Sequence, residues 1–261
     1  MQNVHQKGSD YGTKAVLIPA GTTLLSPHIA IAASVGKSVV KIETPSMALI
    51  STGDELVSPE KTPLDWQIRS SNTYALASAI RKAGFPSVTQ CHFQDHEMEL
   101  RVGIQKALED HDSLILSGGV SEGKFDLVPR VLQACGVKTV FHKVCQKPGK
   151  PFWFGVSQTG QPVFGLPGNP VSALVCFYRY ILPHLKALKF QTVTLDQEVT
   201  LKSQLTHFWP VKVRDGVASL LPWHGSGNFL ALGQSDGFVE LDGVSAYYPS
   251  GTEVPFYSWQ I

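Results

Sequence analysis

The hydrophobic pattern of this chain changes twice along its length. Between residues 46 and 190, short apolar runs alternate with segments of helical periodicity. In the helix predicted over 97–109, for example, Leu100, Ile104 and Leu108 recur at four-residue spacing. Ser71 or Asn72 stands where a further helix, which runs to Lys82, should begin. This alternation predicts a largely parallel sheet whose faces are covered by helices.

The regions on either side of this segment have different patterns. Residues 1–45 offer one helix, predicted over 27–35 and ended by Gly36, and are too few for a core of their own. After Lys189, short β-type segments are separated by glycine, proline and aspartate. We therefore predict an α/β protein in three parts. These are an N-terminal piece over 1–45, a three-layer α/β domain with a parallel-rich sheet over 46–190, and a small C-terminal all-β barrel over 191–261.

Composition narrows the class of protein without naming a function. The 261 residues are 43% hydrophobic and 16% charged, and the formal net charge is +1, which gives no reason to expect a nucleic acid or an anionic membrane as partner. The four cysteines form no Cys-x-x-Cys pair, and most lie inside apolar runs, which predicts reduced, buried thiols. Residues 1–14 lack the apolar region of a signal peptide, and no apolar run approaches membrane-spanning length. We expect a soluble, cytoplasmic protein.

The strongest candidate for a binding segment runs from Leu116 to Asp126. An apolar run ends in Ser117-Gly118-Gly119, and Asp126 lies seven residues beyond the second glycine. Paired glycines after a strand permit a tight turn that brings amide groups close to an anion. An aspartate beside such a turn can hold a metal ion or a water molecule. The alternative interpretation is a simple strand-to-helix turn in which Asp126 caps the next helix.

Other chemically suggestive segments also follow predicted strands. Because ligands of parallel α/β sheets bind beyond the carboxyl ends of the strands, these segments should meet at one edge. Glycine turns and lysines can hold phosphate, and nearby carboxylates can hold Mg²⁺ that bridges to phosphate oxygens. For the lysines the alternative is a solvated basic turn, and for Asp54 it is an ordinary turn residue. The segments are Thr52-Gly53-Asp54-Glu55, Asp95, Lys147-Pro148-Gly149-Lys150-Pro151 and Gly165-Leu166-Pro167-Gly168-Asn169-Pro170.

Taken together, these motifs resemble the molybdopterin molybdenumtransferase family, whose animal relative is the C-terminal domain of gephyrin. The resemblance extends from about Ala15 to the C-terminus. It implies that residues 1–45 are a remnant of the family's first domain, without its earlier part. The matching segments occur in the family's order and are Ser51–Leu56, Ser117–Ser121, Lys147–Pro151 and Gly165–Ser172.

The resemblance implies an activity and a set of site residues. The family inserts molybdate into adenylylated molybdopterin and releases AMP, and it requires a divalent cation, here expected to be Mg²⁺. The resemblance further implies a homodimer. It gives Asp95 and Asp126 catalytic and metal-binding roles. The implied substrate-binding residues are Thr52, Gly53, Asp54, Glu55, Ser117, Gly118, Gly119, Lys147, Lys150, Pro167, Asn169 and Pro170. One departure lies just before the Phe208 region, where relatives usually carry an arginine and this chain reads Thr206-His207-Phe208-Trp209.

Two other functions remain open at this stage. The chain could be a non-catalytic module that holds molybdopterin, its adenylate or a partner protein. Asp95 and Asp126 favour catalysis, because a pure binder has little reason to keep acids beside phosphates. A pyrophosphatase-like domain that acts on nucleotides is disfavoured by the paired Lys-Pro-Gly-Lys-Pro and Gly-Leu-Pro-Gly-Asn-Pro motifs.

Overall fold

The structure is a computed structural model. It describes residue 6, residues 8–120, 127–186 and 191–223, residues 225 and 227, and residues 229–260. The chain divides into two compact units, Met1–Glu43 and Thr44–Ile261. The first unit contains helix α1 (Ser26–Ser34). Gly36 follows it with a φ of +78°, and the Gly36 and Lys37 amides donate to carbonyls of the last turn, as expected for a glycine that ends a helix.

The second unit combines a large sheet with a barrel. Its helices are α2 (Asn72–Lys82), α3 (Glu97–Asp110), α4 (Val128–Ala134), α5 (Pro170–Cys176), a π-helical turn (Phe177–Ile181), α6 (Leu182–Leu185) and α7 (Phe229–Gln234). No helix in the described part of the chain has both the length and the apolar composition needed to traverse a lipid bilayer. Its strands are β1 (Met47–Thr52), β2 (Leu56–Val57), β3 (Ile68–Arg69), β4 (Val88–Phe93), β5 (Ser113–Ser117), β6 (Lys138–His142), β7 (Gln146–Lys147), β8 (Trp153–Val156), β9 (Pro162–Leu166), β10 (Gln191–Leu195), β11 (Val199–Thr200), β12 (Thr206–Arg214), β13 (Val217–Leu220), β14 (Gly237–Leu241), β15 (Tyr247–Tyr248) and β16 (Glu253–Ser258).

The large sheet has the strand order β4-β1-β5-β9-β8-β6. The first four strands are parallel, and β8 runs antiparallel to both of its neighbours. Every residue of β1 is buried, and its side chains alternate between two cores. Met47 and Leu49 pack with residues of α2 and α5, whereas Ala48 and Ile50 pack with residues of α3 and α4. Helices therefore cover both faces, which confirms the three-layer α/β fold with a parallel-rich sheet.

The helix after Asn169 is interrupted near its only internal proline. Helix α5 ends at Cys176, a π-helical turn follows, and α6 carries Pro183 in its first turn. Proline lacks an amide hydrogen, and its ring crowds the carbonyl four residues earlier. A wider π-turn directly before the proline accommodates this conflict without ending the helical path.

Five strands of the C-terminal region close into a barrel, in the order β13-β10-β16-β14-β12, and β12 pairs back with β13. Val193, Val211 and Val239 belong to its buried interior. This barrel confirms the predicted C-terminal β-domain, and one short helix, α7, stands between its strands β13 and β14 in the chain. That helix forms from the apolar run at Phe229 and buries Ala231 and Leu232, and it packs against α5.

The barrel and the α/β domain share one apolar cluster. It includes Phe208 and Phe238 from the barrel together with Phe177 and Ile181 from the interrupted helix. The proposed boundary between the two domains falls at 190/191, and residues 187–190 lie outside the described residues, so the boundary stays a prediction. The shared core nevertheless means that the barrel is packed onto the sheet domain rather than tethered to it.

Candidate functional site

A cavity of about 870 Å³ opens beyond the carboxyl ends of β1, β5 and β9. Its size is typical of small-molecule binding sites. Residues of all four predicted motif loops line it, so the sheet edge does bring these loops together. The predicted site residues in the lining are Thr52, Glu55, Ser117, Gly118, Lys147, Lys150, Pro167, Asn169 and Pro170.

Other predicted site residues lie elsewhere. Of those that the structure describes, Gly53, Asp54, Asp95 and Gly119 are outside this lining, and Asp126 lies outside the described residues. Asp54 Oδ1 accepts a hydrogen bond of 3.1 Å from the Asp95 amide. This bond braces the loop after β1 against the loop after β4, which favours the turn interpretation of Asp54. The catalytic and metal roles of Asp95 and Asp126 stay predictions.

The glycine turn, Ser117-Gly118-Gly119, packs tightly against the end of β1. The φ angles of Gly118 and Gly119 are +100° and +65°, which glycine adopts readily. A Cβ on Gly118 would lie 3.0 Å from the Thr52 carbonyl oxygen, and one on Gly119 would lie 2.6 Å from Val128 Cγ2. The Gly118 amide donates to the Leu166 carbonyl over 3.1 Å. The expected anion contact through this particular amide is therefore not supported.

Asn72 joins three walls of the cavity. Its Nδ2 donates to Ser117 Oγ over 3.0 Å and to the Gly168 carbonyl over 2.7 Å. Asn72 Oδ1 and Thr52 Oγ1 are buried, and neither has a hydrogen-bond partner among the described residues. Because buried polar atoms normally have partners, the wall retains unused hydrogen-bonding capacity here. Sequence reasoning treated Asn72 only as a helix start, although its position at the same sheet edge was a usable signal.

The lysine loop, Gln146 to Pro151, forms another part of the cavity wall. Its Pro148 and Gly149 are buried, whereas Lys147 and Lys150 are exposed and line the cavity. Gln146 is 2% exposed, and its Nε2 donates to the Pro148 carbonyl over 3.0 Å.

The hydroxyl of Tyr180 holds Gln146 in turn, by donating to Gln146 Oε1. Burial raises the pKa of Tyr180 to about 12, so the hydroxyl remains a donor at physiological pH. Phe152 stacks on the Tyr180 ring with 5.0 Å between centroids. The side chain of a distant element thus helps to hold the loop that carries the two lysines.

The lysine loop is also a strand of the barrel sheet. Strand β7 runs parallel to β12, with Lys147 opposite His207, and the Thr206 amide donates to the Cys145 carbonyl over 3.0 Å. Burial, together with the charge of Lys147, lowers the pKa of His207, whose Nε2 lies 2.9 Å from Ser203 Oγ. This pairing was not foreseen from the sequence, and it fixes Lys147 between the two domains. The cavity wall also includes Leu205, Trp223 and Phe229 from the C-terminal region.

Comparison with known proteins agrees with this architecture. Residues 48–187 match the family model described as a probable molybdopterin binding domain, and residues 192–259 match the MoeA C-terminal region, domain IV. A molybdopterin molybdenumtransferase from Synechocystis is 40% identical, over 98% of this chain and 66% of that protein. One from Nostoc is 32% identical, over 96% of this chain and 62% of that protein.

A solved structure of similar fold agrees with these sequence matches. The molybdopterin biosynthesis MoeA protein from Pyrococcus horikoshii superposes with a TM-score of 0.74 at 30% identity, over 89% of this chain and 59% of that one. The α/β domain and its cavity thus define a molybdopterin-binding domain as the class. The two matched regions, in this order, show that the chain belongs to the MoeA family, as the sequence motifs predicted. It spans about two thirds of the length of the curated relatives it matches.

Proposed function

We propose that this chain inserts molybdate into adenylylated molybdopterin and releases AMP. The observation that carries the proposal is the cavity of about 870 Å³ at the carboxyl edge of parallel strands, which residues of both the glycine turn and the lysine loop line. Support also comes from relatives at 40% and 32% identity that are named molybdopterin molybdenumtransferases. The proposal places the chain in molybdenum cofactor biosynthesis as a transferase.

Different residues of the cavity lining would make different kinds of contact with the substrate. Lys147 and Lys150 supply positive charge for the anionic oxygens of the substrate and of molybdate. Thr52 and Asn72 contribute the hydrogen-bonding atoms that have no partner among the described residues. Trp223 and Phe229 provide an apolar side that excludes water from bound substrate.

We propose Mg²⁺ as the cofactor, on the basis of the donor chemistry at the neighbouring loops. In the described part of the chain, no group of three or more His, Cys, Asp or Glu side chains is arranged to hold a metal. Mg²⁺, however, is usually held by one or two carboxylates and completed by substrate phosphate oxygens. Asp95, which lies beside Asp54, fits that donor set, and Asp126 would join it. The ion would neutralise charge on the phosphoanhydride oxygens.

We also propose that the chain acts as a cytoplasmic homodimer. The first unit exposes large apolar side chains, among them Val16 at 77% and Val39 at 82%. Apolar side chains that one chain exposes can be buried between two chains, and self-association usually follows two-fold symmetry. Sedimentation of the purified chain across a range of concentrations measures this directly, and a strict monomer at high concentration contradicts it.

AMP release tests the proposed activity. The purified chain is mixed with adenylylated molybdopterin, molybdate and Mg²⁺, and AMP is quantified over time. Lys147→Gln should lower the rate by roughly a hundredfold, the usual loss for one electrostatic stabiliser of a reaction. Lys138→Gln, at an exposed position of β6 away from the cavity, is the matched control and should retain the parental rate.

The same assay distinguishes a second candidate function, that of a non-catalytic binding module. The position of Asp95 outside the cavity lining favours a binding module without turnover. If the chain is such a module, the parental protein should bind molybdopterin but release no AMP. Asp126→Asn, which removes the charge and keeps the size, tests the predicted metal role separately, and an active variant removes Asp126 from the mechanism.

A further inference from the structure

A serine and a histidine meet at the carboxyl edge of the large sheet. Ser51 of β1 is 4% exposed and lines the cavity of about 870 Å³, which we call the main cavity. It pairs in register with His92 of β4, and Ser51 Oγ lies 3.0 Å from His92 Nδ1. Strand β4 is the terminal strand of the sheet, and His92 is exposed and lies outside the cavity lining. One hydrogen bond therefore links a hydroxyl of the cavity wall to an imidazole that solvent reaches.

The protonation of the His92 ring decides what the Ser51 hydroxyl can offer to a ligand. When Nδ1 carries no proton, it accepts from the hydroxyl, whose hydrogen then points towards β4. A charged ring donates from both nitrogens, so Ser51 Oγ accepts from Nδ1 and its own hydrogen is released. One acceptor within the protein, the Cys91 carbonyl oxygen, lies 3.4 Å from Ser51 Oγ, a distance at which such a bond is weak. A ligand oxygen that comes closer is the better acceptor.

We propose that His92 is a positioning residue, which turns the Ser51 hydroxyl towards an anionic oxygen of the bound substrate. This inference rests on the proposed function, because it takes the ligand of the main cavity to be anionic. An anionic oxygen accepts hydrogen bonds and donates none, so it selects the state in which the hydroxyl donates into the cavity. A charged His92 ring always permits that state, whereas a neutral ring permits it in only one of its two tautomers. Substrate binding and proton uptake by His92 are therefore coupled, each favouring the other.

The size of the coupling follows from the tautomers of the neutral ring. If about a third of the neutral population carries its proton on Nδ1, the loss of the charge weakens binding about threefold, because only that fraction leaves the hydroxyl free. The change should fall within the pH range in which histidine side chains ordinarily titrate.

The other titratable groups around His92 come from the elements that pack on β4. Cys91 and Phe93 pack with the core beneath α3, so His92, which alternates with them, lies on the face that α2 covers. Strand β1 carries no titratable side chain. These groups are unchanged in the variants of the test, so their contributions cancel when variant and parent are compared. They are Asp54 and Asp95 in the loops after β1 and β4, and Tyr74, Arg81 and Lys82 on α2, the last two in its final turn.

Calorimetric titration with molybdopterin at several pH values tests the inference. The number of protons taken up is measured from the dependence of the binding enthalpy on the ionisation enthalpy of the buffer. His92→Asn keeps an amide at the position of Nδ1 but takes up no proton, so binding to this variant should take up fewer protons than binding to the parent. As the pH falls, the parent should gain about threefold more affinity than the variant. The phosphate of molybdopterin also takes up protons, near pH 6 by about its ordinary second pKa, and the comparison with His92→Asn removes that contribution.

Two further variants show whether the coupling runs through the hydroxyl. Ser51→Ala removes the group on which His92 acts, so it should lose the same proton uptake as His92→Asn. Combining both changes should cause no additional loss of proton uptake. His111→Asn is the matched control, because His111 follows α3 and lies outside the lining of the main cavity, and it should keep the parental pH profile.

Three results would overturn the inference. The first is equal proton uptake in the parent and in His92→Asn. The second is uptake that persists in Ser51→Ala, since the ring would then act through its charge alone. The third is a lower melting temperature of both variants with an unchanged pH profile, which is the result expected if the bond only ties β4 to β1.

The AMP-release assay with the parent decides the proposed function separately. A parent that releases AMP without His92-dependent proton uptake keeps the proposed function and overturns the inference. A parent that takes up protons through His92 when it binds molybdopterin, but releases no AMP, supports the inference and contradicts the proposed activity.

Discussion

Two walls of the main cavity, the glycine turn and the lysine loop, are built in different ways. The glycine turn is held mainly by backbone contacts, through the Gly118 amide on the Leu166 carbonyl and through close contact with Thr52, with one side-chain hydrogen bond from Asn72 to Ser117 Oγ. The lysine loop is held by distant elements, since the Tyr180 side chain anchors Gln146 and the backbone of β7 is paired with the barrel. A wall held mainly by backbone contacts should respond most strongly to changes in its own backbone. A wall assembled from distant elements should respond to changes in the helix and in the barrel as well.

The largest effect is expected for Gly149→Ala in the lysine loop. Its φ is +93°, and a Cβ would lie 2.6 Å from Gln146 Nε2 and 2.7 Å from Cys176 Sγ, both buried. Left-handed backbone strain and overpacking together should lower the free energy of unfolding by about 3 kcal/mol. Denaturant unfolding measures this change.

Gly160→Ala is the matched control for that variant. Its φ is +87°, and a Cβ there would meet nothing within 4 Å, so only the backbone strain of about 1 kcal/mol is expected. Equal losses for Gly149→Ala and Gly160→Ala would show that Gln146 and Cys176 do not confine the loop.

Gly118→Ala should have the next largest effect. Its φ is +100°, and the added Cβ would lie 3.0 Å from the Thr52 carbonyl oxygen, a backbone atom that cannot rotate away. Strain and contact together should cost about 2 kcal/mol of unfolding free energy. Molybdopterin affinity, measured by calorimetry, should fall as well, because Gly118 lines the cavity. A loss larger than that of Gly149→Ala would reverse the proposed ranking of the two walls.

Tyr180→Phe tests whether a distant side chain controls the lysine loop. The change removes the hydroxyl that donates to Gln146 Oε1 and leaves a buried acceptor without its donor, which should cost about 1–2 kcal/mol. Thermal unfolding and molybdopterin titration should both detect the change. Tyr74→Phe, on a tyrosine that is 50% exposed in α2, is the control and should match the parent in both measurements. If the two variants behave alike, Tyr180 does not position the loop.

Local features of the fold could be predicted from the sequence. The apolar run at Met47–Thr52 predicts a strand, and the four-residue spacing of Leu100 and Ile104 predicts a helix. The structure has β1 and α3 at these two places. The turns at Gly36 and at Gly118-Gly119 could also be predicted from the sequence, because a positive φ depends on the residue that adopts it. The edge of the parallel sheet then predicted which loops would meet.

Features that depend on distant partners could not be predicted. Asn72 bonds to Ser117 and Gly168, which are 45 and 96 residues away, and no local pattern reports such a distance. Strand β7 has only two residues, too few for a periodic signal, yet its pairing places Lys147. Asp95 follows its strand as predicted, but the course of the loop decides its distance from the cavity, and that course is set by tertiary packing.

The smallest effect is expected from the titration of His207, which lies opposite Lys147 in the pairing of β7 and β12. Burial, and then the charge of Lys147, hold the pKa of His207 below its ordinary value of 6.5. As the pH falls below 6.5, the unfolded chain takes up the proton first, so the folded state loses stability until the pH passes the folded pKa. Above 6.5 the ring is neutral in both states, and this contribution is constant. His207→Gln should therefore lose less stability than the parent between pH 7 and pH 5, approximate limits that bracket the ordinary histidine range.

Lys147→Met sharpens the same test, because it removes the charge but leaves the burial. NMR titration of the His207 ring should give a higher pKa in Lys147→Met than in the parent, still below the ordinary value, since burial is the larger cause of the shift. Neither His207→Gln nor Lys147→Met should change the stability of the glycine turn. Hydrogen exchange of the Gly118 amide measures that stability separately. If the pKa of His207 is the same with and without the charge of Lys147, His207 does not couple the barrel electrostatically to the lysine loop. In that case only the β7–β12 backbone pairing couples the second wall of the cavity to the barrel.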